Sequence, residues 1–382
     1  MSELEPHPIA VADADLDDLR DRLRRTRWPE RETVDDWTQG IPLAYVQELC
    51  ARWIDGYDWR RVEAELNRFE QVRFTPDVGA PDTLGIQVLH APSPHPDALP
   101  LVLTHGWPGS VVEFLDVIEP LRDPAATGGD PADAFHVVCP TMPGYGFSDK
   151  PTRPGWGVER IADAWAELMT ALGYQRFGAQ GGDWGSAVTT ALGVQHPDRC
   201  VGIHLNMVTA GPGKDTELTE AEQAAMAALE EHRKWGMGYS TQQSTRPQTL
   251  GYGLVDSPAA QAAWVVEKFW AWADHAGHPE DTFSRDRLLD NVMHYWLPGA
   301  GASSGRLYWE SFGSFRGRDT IDVPSGMSVF PKEIFRPSRR WAERRYTDIR
   351  HWHELDAGGH FAAFERPDVF VDEVRTFFRL VR

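Results

Sequence analysis

The stretch GAQGGDWGSAV (Gly178–Val188) decides how the rest of the chain is read. Small residues crowd its centre, where Asp183 stands between Gly181 and Gly185, after a strand-like run and before a helix-like one. The pattern is Gly-x-nucleophile-x-Gly, a tight and strained strand-to-helix turn that lifts its central side chain above a sheet. Serine is the familiar occupant of such a turn; here the residue is a carboxylate. Taken alone, GGDWG could equally be an aspartate capping the helix WGSAVTTALGV. The surroundings have to decide.

Working outward, LVLTHG (Leu101–Gly106), FHVVCP (Phe135–Pro140) and CVGIHLNM (Cys200–Met207) are continuous apolar runs, as expected of parallel strands buried on both faces. The helical SVVEFLDVIEPL and RIADAWAELMTALGY lie between them. This alternation predicts a doubly wound, mostly parallel α/β sheet. Upstream, residues 1–70 read as helical: Leu16, Leu19 and Leu23 share a face, and two further amphipathic segments break at Gly56. QVRFT and TLGIQVLHA alternate like antiparallel strands. From about 208 to 320 the strand signal stops, and Asp256 or Ser257 caps a helix that Pro258 opens. Strands resume at SGMSVFP and DIRHWHEL, and PDVFVDEVRTFFRLV closes the chain as a helix. The expected organisation is a helical extension (1–70) wrapping the core, a first core part (71–207), a mainly helical lid (208–320) and a last core part (321–382).

Composition limits the partners. A net charge of −19 over 382 residues argues against nucleic acid and anionic membrane. Cys50, Cys139 and Cys200 lie far apart without metal-ligand spacing, which suits buried thiols in a reducing cytosol. The acidic N-terminus has no apolar signal core, and no stretch reads as a membrane span, so a soluble cytoplasmic protein is expected. His351 and His353 form His-x-His on a probable strand; without acidic or cysteine partners nearby they read as structural, and no metal or cofactor is expected. Of the 16 Trp and 17 Phe, many crowd residues 235–312, which suggests an apolar cavity under the lid.

The remaining pieces of a catalytic site follow in chain order. HGWPGS (His105–Ser110) succeeds the first buried strand, where this kind of fold places one oxyanion donor, the N–H of Trp107; Trp184 supplies the second. GGHFAAFERP puts His360 on a glycine-rich loop before the final helix, completing the order nucleophile, acid, histidine. Glu333 in VFPKEIF is the favoured acid, with Asp322 and Asp356 as alternatives; Asn206 cannot serve. A carboxylate nucleophile, with a pKa of about 4, is already ionised at neutral pH and attacks saturated carbon bearing a strained or good leaving group. The alkyl ester that results can be hydrolysed by water activated at His360. Epoxides and alkyl halides fit this chemistry. An epoxide also needs a donor for its oxygen, and the lid offers Tyr239, Tyr252, Tyr295 and Tyr308.

These residues carry a resemblance. RTRWPE, HGWPGS, PGYGFSDKP, GGDWGS, TRPQTLGYGLVDSP, EKFWAW and GGHFAAFERP, spread over nearly the whole chain, are similar to the microsomal-type epoxide hydrolases of the α/β-hydrolase superfamily, in their soluble bacterial branch. The resemblance implies an α/β-hydrolase fold with an inserted lid and an N-terminal extension. It implies Asp183 as nucleophile, His360 as base and Glu333 as its acid. Tyr239 and Tyr308 would hold the epoxide oxygen, and Trp107 and Trp184 would line the substrate site as well as the oxyanion hole. A small apolar or aromatic epoxide and water are the implied partners, with room for a homodimer. Some bacterial members open epoxides on antibiotic precursors such as enediyne cores, and the aromatic lid suits those and small aryl epoxides equally. Haloalkane dehalogenase and a non-catalytic binding protein are the competing functions. A serine esterase is disfavoured, because Ser186 lies inside the helix.

Overall fold

The computed structural model describes residues 3–313 and 319–382, with side chains from residue 4 onward; residues 314–318, at the end of the block read as a lid, lie outside the described residues. A nine-stranded sheet organises them. Its strands are β1 (Glu3–Pro6), β2 (Glu70–Thr75), β3 (Ile86–Ala91), β4 (Leu99–Thr104), β5 (Phe135–Pro140), β6 (Phe177–Gly181), β7 (Cys200–Leu205), β8 (Ser325–Val329) and β9 (Ile349–Glu354). They lie in the order β1-β2-β3-β5-β4-β6-β7-β8-β9. Pairing is antiparallel from β1 to β5 and parallel from β5 through β4 to β9. Leu101, Val102 and Leu103 of β4 are wholly buried, as a strand covered on both faces requires.

β1 corrects the helical reading of residues 1–70. ELEP is too short and polar to announce itself; it is a strand because β2 offers an edge, with Leu4 paired to Phe74. The rest of the extension is helical: α1 (Asp13–Arg24), α2 (Leu43–Ile54) and α3 (Trp59–Leu66). On the core, α4 (Leu115–Arg122), α5 (Val158–Ala171) and α6 (Asp183–Gln195) follow.

Between β7 and β8 the chain leaves the sheet for α7 (Glu220–Glu231), a π-helical turn (His232–Gly236), α8 (Gly238–Thr245), α9 (Pro247–Asp256), α10 (Pro258–Trp272), α11 (Arg285–Trp296) and α12 (Ser303–Ser311). Ser257, not Asp256, caps α10: its hydroxyl accepts from the Ala260 N–H at 3.2 Å, while Asp256 ends α9. The extension grips this region at α11. Arg52 forks onto Asp286 at 2.8 and 2.7 Å, and Tyr57 (2.9 Å) and Arg61 (2.6 and 2.7 Å) both bond the buried Asp290. The chain ends through α13 (Arg339–Ala342), α14 (Ala362–Glu365) and α15 (Pro367–Phe378). No helix among the described residues is long and apolar enough to cross a membrane.

Two features place the site. β5 and β6 flank β4 on opposite sides, so the strand order reverses there, and loops leaving β4 and β6 diverge to open a crevice at the carboxyl edge of the sheet. Thr104 at the end of β4 pairs with Gly181 at the end of β6, which sets HGWPG beside the Asp183 turn. At the far edge, Glu373 of α15 meets His351 and His353 at 2.7 Å each and accepts from Ser328 at 2.7 Å. The His-x-His pair therefore has an acidic partner after all, one that only the closing helix brings in. Burial alone would lift Glu373, but bonds from His351, Ser328 and His353 outweigh it and hold the carboxyl at about 2.

Candidate active site

Asp183 has φ +50°, and among the described residues no other non-glycine residue has a positive φ. Such strain costs about 1–3 kcal/mol and persists only where the surroundings impose it. They do so through close backbone contacts. A Cβ on Gly181 would lie 2.1 Å from the Gly185 carbonyl oxygen, and one on Gly185 would lie 1.8 Å from that of Thr104. The capping alternative fails, because Asp183 is the first residue of α6 and the cap position belongs to Gly182. Its carboxylate instead accepts from the Trp107 N–H at 2.8 Å and from the Trp184 N–H. The two donors expected of an oxyanion hole thus converge on one carboxylate. Burial raises the Asp183 pKa, and the His360 charge and the two N–H groups oppose it.

His360 Nδ1 bonds Glu333 Oε1 at 2.8 Å, and its Nε2 stands 3.6 Å from Asp183 Oδ2. Asp322 and Asp356, the alternative acids, are solvent-exposed; Asp322 accepts from the Thr347 hydroxyl at 2.8 Å. The His360 loop is tied to the lid, since its own N–H bonds the Trp272 carbonyl at 3.0 Å and Asp274 accepts from the Gly358 N–H at 2.8 Å. Burial by itself would lower the His360 pKa. The carboxylates of Glu333 and then Asp183 outweigh that and push it up to about 9.

Of the four candidate tyrosines, two reach the site. Tyr239 on α8 stacks on Trp107 at 5.0 Å, and Tyr308 on α12 meets Trp184 edge-on at 4.8 Å. The two rings stand 5.8 Å apart. Both phenols are raised, first by burial, then by negative charge that includes Asp183, which keeps them protonated donors. Tyr295 spends its hydroxyl on the Gly109 carbonyl at 2.6 Å, and Tyr252 is 69 % exposed. A cavity of about 650 Å³ opens on Asp183, Tyr239 and Tyr308. Trp107 and Trp184, expected to line the substrate site as well, lie behind the tyrosines, against whose rings they pack, and are not among the residues of its wall.

A second, much smaller cavity of about 20 Å³ is bordered by Trp107, Glu113, Gln180, Asp183, Asn206 and His360. It has room for about one water and offers polar partners to hold it. Glu113 is the residue that sequence reasoning missed. Its only signal is a lone carboxyl in the apolar run VVEFL just after HGWPGS. Burial is the main cause that pushes its pKa up to about 8. Ser186 is no rival nucleophile, since its hydroxyl is bonded to the Met207 carbonyl at 2.5 Å. The three cysteines are buried and unpaired.

Comparison with known proteins gives the family and the fold. Family models described as "Epoxide hydrolase N terminus" and "alpha/beta hydrolase fold" match residues 4–114 and 100–235. A protein of Stigmatella aurantiaca (strain DW4/3-1), itself provisionally called an epoxide hydrolase, is 53% identical over 99% of this chain and 86% of its own length. Epoxide hydrolase 1 of Sus scrofa is 31% identical over 99% of this chain and 89% of its own. The epoxide hydrolase structure from Aspergillus niger superposes with a TM-score of 0.87 at 31% identity, covering 100% of this chain and 97% of the other.

Proposed function

The chain belongs to the epoxide hydrolase family of the α/β-hydrolase fold, and on that premise we propose that it opens an apolar epoxide through a covalent ester on Asp183. The observation that carries this reading is the strained Asp183 carboxylate, one oxygen on the Trp107 N–H and the other facing His360. Oδ2 is the attacking atom. It forms a C–O bond as the ring C–O bond breaks, and Tyr239 or Tyr308 donates a proton to the oxygen that leaves the ring.

Water in the small cavity then gives a proton to His360 Nε2 and attacks the ester carbon of Asp183. The oxyanion that forms stays on the Trp107 and Trp184 N–H groups until the C–O bond to the diol breaks and the second water proton passes to the leaving alkoxide. A histidine with a pKa near 9 is a protonated partner in the resting site, not a base. Esterification removes the Asp183 charge, and with it one of the two main carboxylate interactions that hold the proton on. The proton that His360 then gives up restores the tyrosine that protonated the ring oxygen, so the first step makes the base that the second step needs.

The test is the intact mass of His360→Gln after exposure to an aryl epoxide and, separately, to a haloalkane. A gain equal to the whole epoxide, mapped to Asp183, is the expected result. A gain of only the alkyl group, from the haloalkane alone, would replace this proposal with dehalogenation.

A further inference from the structure

The large cavity is charged opposite to the chain that holds it. The sequence carries 57 acidic and 38 basic residues. Yet the cavity is lined by Arg233, Arg336, Arg344 and Arg345, and among its described lining residues the only carboxylate is that of Asp183. Two of these arginines have acidic partners: Arg344 pairs with Asp215, and Arg233 stands 3.9 Å from Glu230.

Among the described residues, Arg336 and Arg345 have none within 4.0 Å. Arg336 donates to the Pro331 carbonyl at 2.9 Å. Arg345 donates to the carbonyl and hydroxyl of Thr209 at 3.2 and 3.0 Å, and its Nε is buried without an acceptor. Both residues are half-buried. A guanidinium keeps its charge at any working pH, and holding one out of water without a counter-ion is unfavourable. Its planar fork fits a carboxylate in two-point fashion. Neither arginine pairs with Asp183 or Glu333 within 4.0 Å, so the cationic wall is separate from the reacting atoms. The same cavity is lined by apolar surfaces of Met207, Met226, Leu229, Phe312 and Ile334.

We infer that the substrate is an epoxide on an apolar body that also bears an anionic group, a carboxylate in its simplest form, held by Arg336 and Arg345. This rests on Asp183 being the epoxide-opening nucleophile. A volume of about 650 Å³ lies within the usual range of small-molecule sites. The net charge of −19 repels anions at long range, so a local cationic wall is what such a substrate needs in order to bind. The competing account is that the two arginines merely brace the backbone of residues 209 and 331.

Two measurements separate these. In calorimetric titration of the wild-type protein, decanoate should bind about tenfold tighter than methyl decanoate, and added salt should erode the difference. The preference should collapse towards unity in Arg336→Gln/Arg345→Met, with Arg345→Lys keeping part of it. Equal binding of acid and ester by the wild type, or a preference that survives the double substitution, would overturn the inference. The wild-type comparison stands even if the double variant fails to fold. In turnover, 10,11-epoxyundecanoate should exceed its methyl ester about tenfold in kcat/KM. Equal turnover of both would remove the anion site and keep the nucleophile. Selective decanoate binding without turnover of either epoxide would instead remove the nucleophile and keep the anion site.

Discussion

Asp183 Oδ2 and His360 Nε2 stand 3.6 Å apart, beyond ordinary hydrogen-bond length, so each feels the other's charge while Nε2 stays open to water. The first prediction follows from that pair. In nitrogen NMR of the free protein, His360 should titrate near 9, and Asp183→Asn should move it down. An unchanged value would mean that Glu333 alone sets the proton. Because the folded pKa exceeds the ordinary 6.5, the stabilisation is full below about 6.5 and is lost as pH rises through 9. Thermal melting across that window checks the sign.

The tyrosine pair shares one task. Tyr239→Phe or Tyr308→Phe should each slow ester formation by about tenfold, and the double change should approach the 10²–10⁴ range expected of a lost general acid. Stopped-flow tryptophan fluorescence would follow the step. Tyr295→Phe, which loses only a bond to Gly109, should leave ester formation within about threefold of wild type. Full activity in the double variant would move the donor elsewhere.

Glu113 should act on the second step. Glu113→Leu leaves the small cavity without one polar wall, so ester should accumulate while its formation rate holds. Glu113→Gln, which keeps a polar side chain of the same shape in that wall, should hydrolyse ester at close to the wild-type rate. Single-turnover quench with mass detection distinguishes them. With a pKa raised from 4.5 to about 8, the wild type should lose stability relative to Glu113→Gln as pH rises between those values.

The clamp between extension and lid is measurable as stability. Asp290 is fully buried, and Arg61→Met removes its best partner while Tyr57 and Arg287 remain. Breaking a buried pair costs about 3–5 kcal/mol; the partial exposure of Arg61 brings the expectation to about 2–3 kcal/mol. Calorimetric melting should also show Arg61→Met/Asp290→Leu recovering much of that loss.

At the elbow, Gly185→Ala should prevent correct folding or inactivate the protein, because the added methyl would sit 1.8 Å from the Thr104 carbonyl oxygen. Circular dichroism with activity on any accepted epoxide would check this. A folded, active variant would show that β4 and α6 can separate.

Much of this was legible along the chain. Apolar runs of LVLTHG type suit strands covered on both faces, and GGDWG between strand and helix is a backbone pattern that few residues can satisfy. The order nucleophile, acid, histidine, with Asp183 and His360 at its ends, followed from the positions of loops after strands. These are local properties, fixed by spacing, backbone sterics and periodicity. Apart from what the resemblance implied, the residue pattern left open which side chains meet. Glu333 rather than Asp322 or Asp356 faces His360, and Tyr239 and Tyr308 rather than Tyr252 and Tyr295 face Asp183. ELEP became a strand, Glu373 reached His351 and His353, and Glu113 came to share the small cavity with the nucleophile. Each of these depends on a partner that a long loop closure or the folded lid delivers. Burial and charge then set what each group can do, and neither exists before the chain has closed.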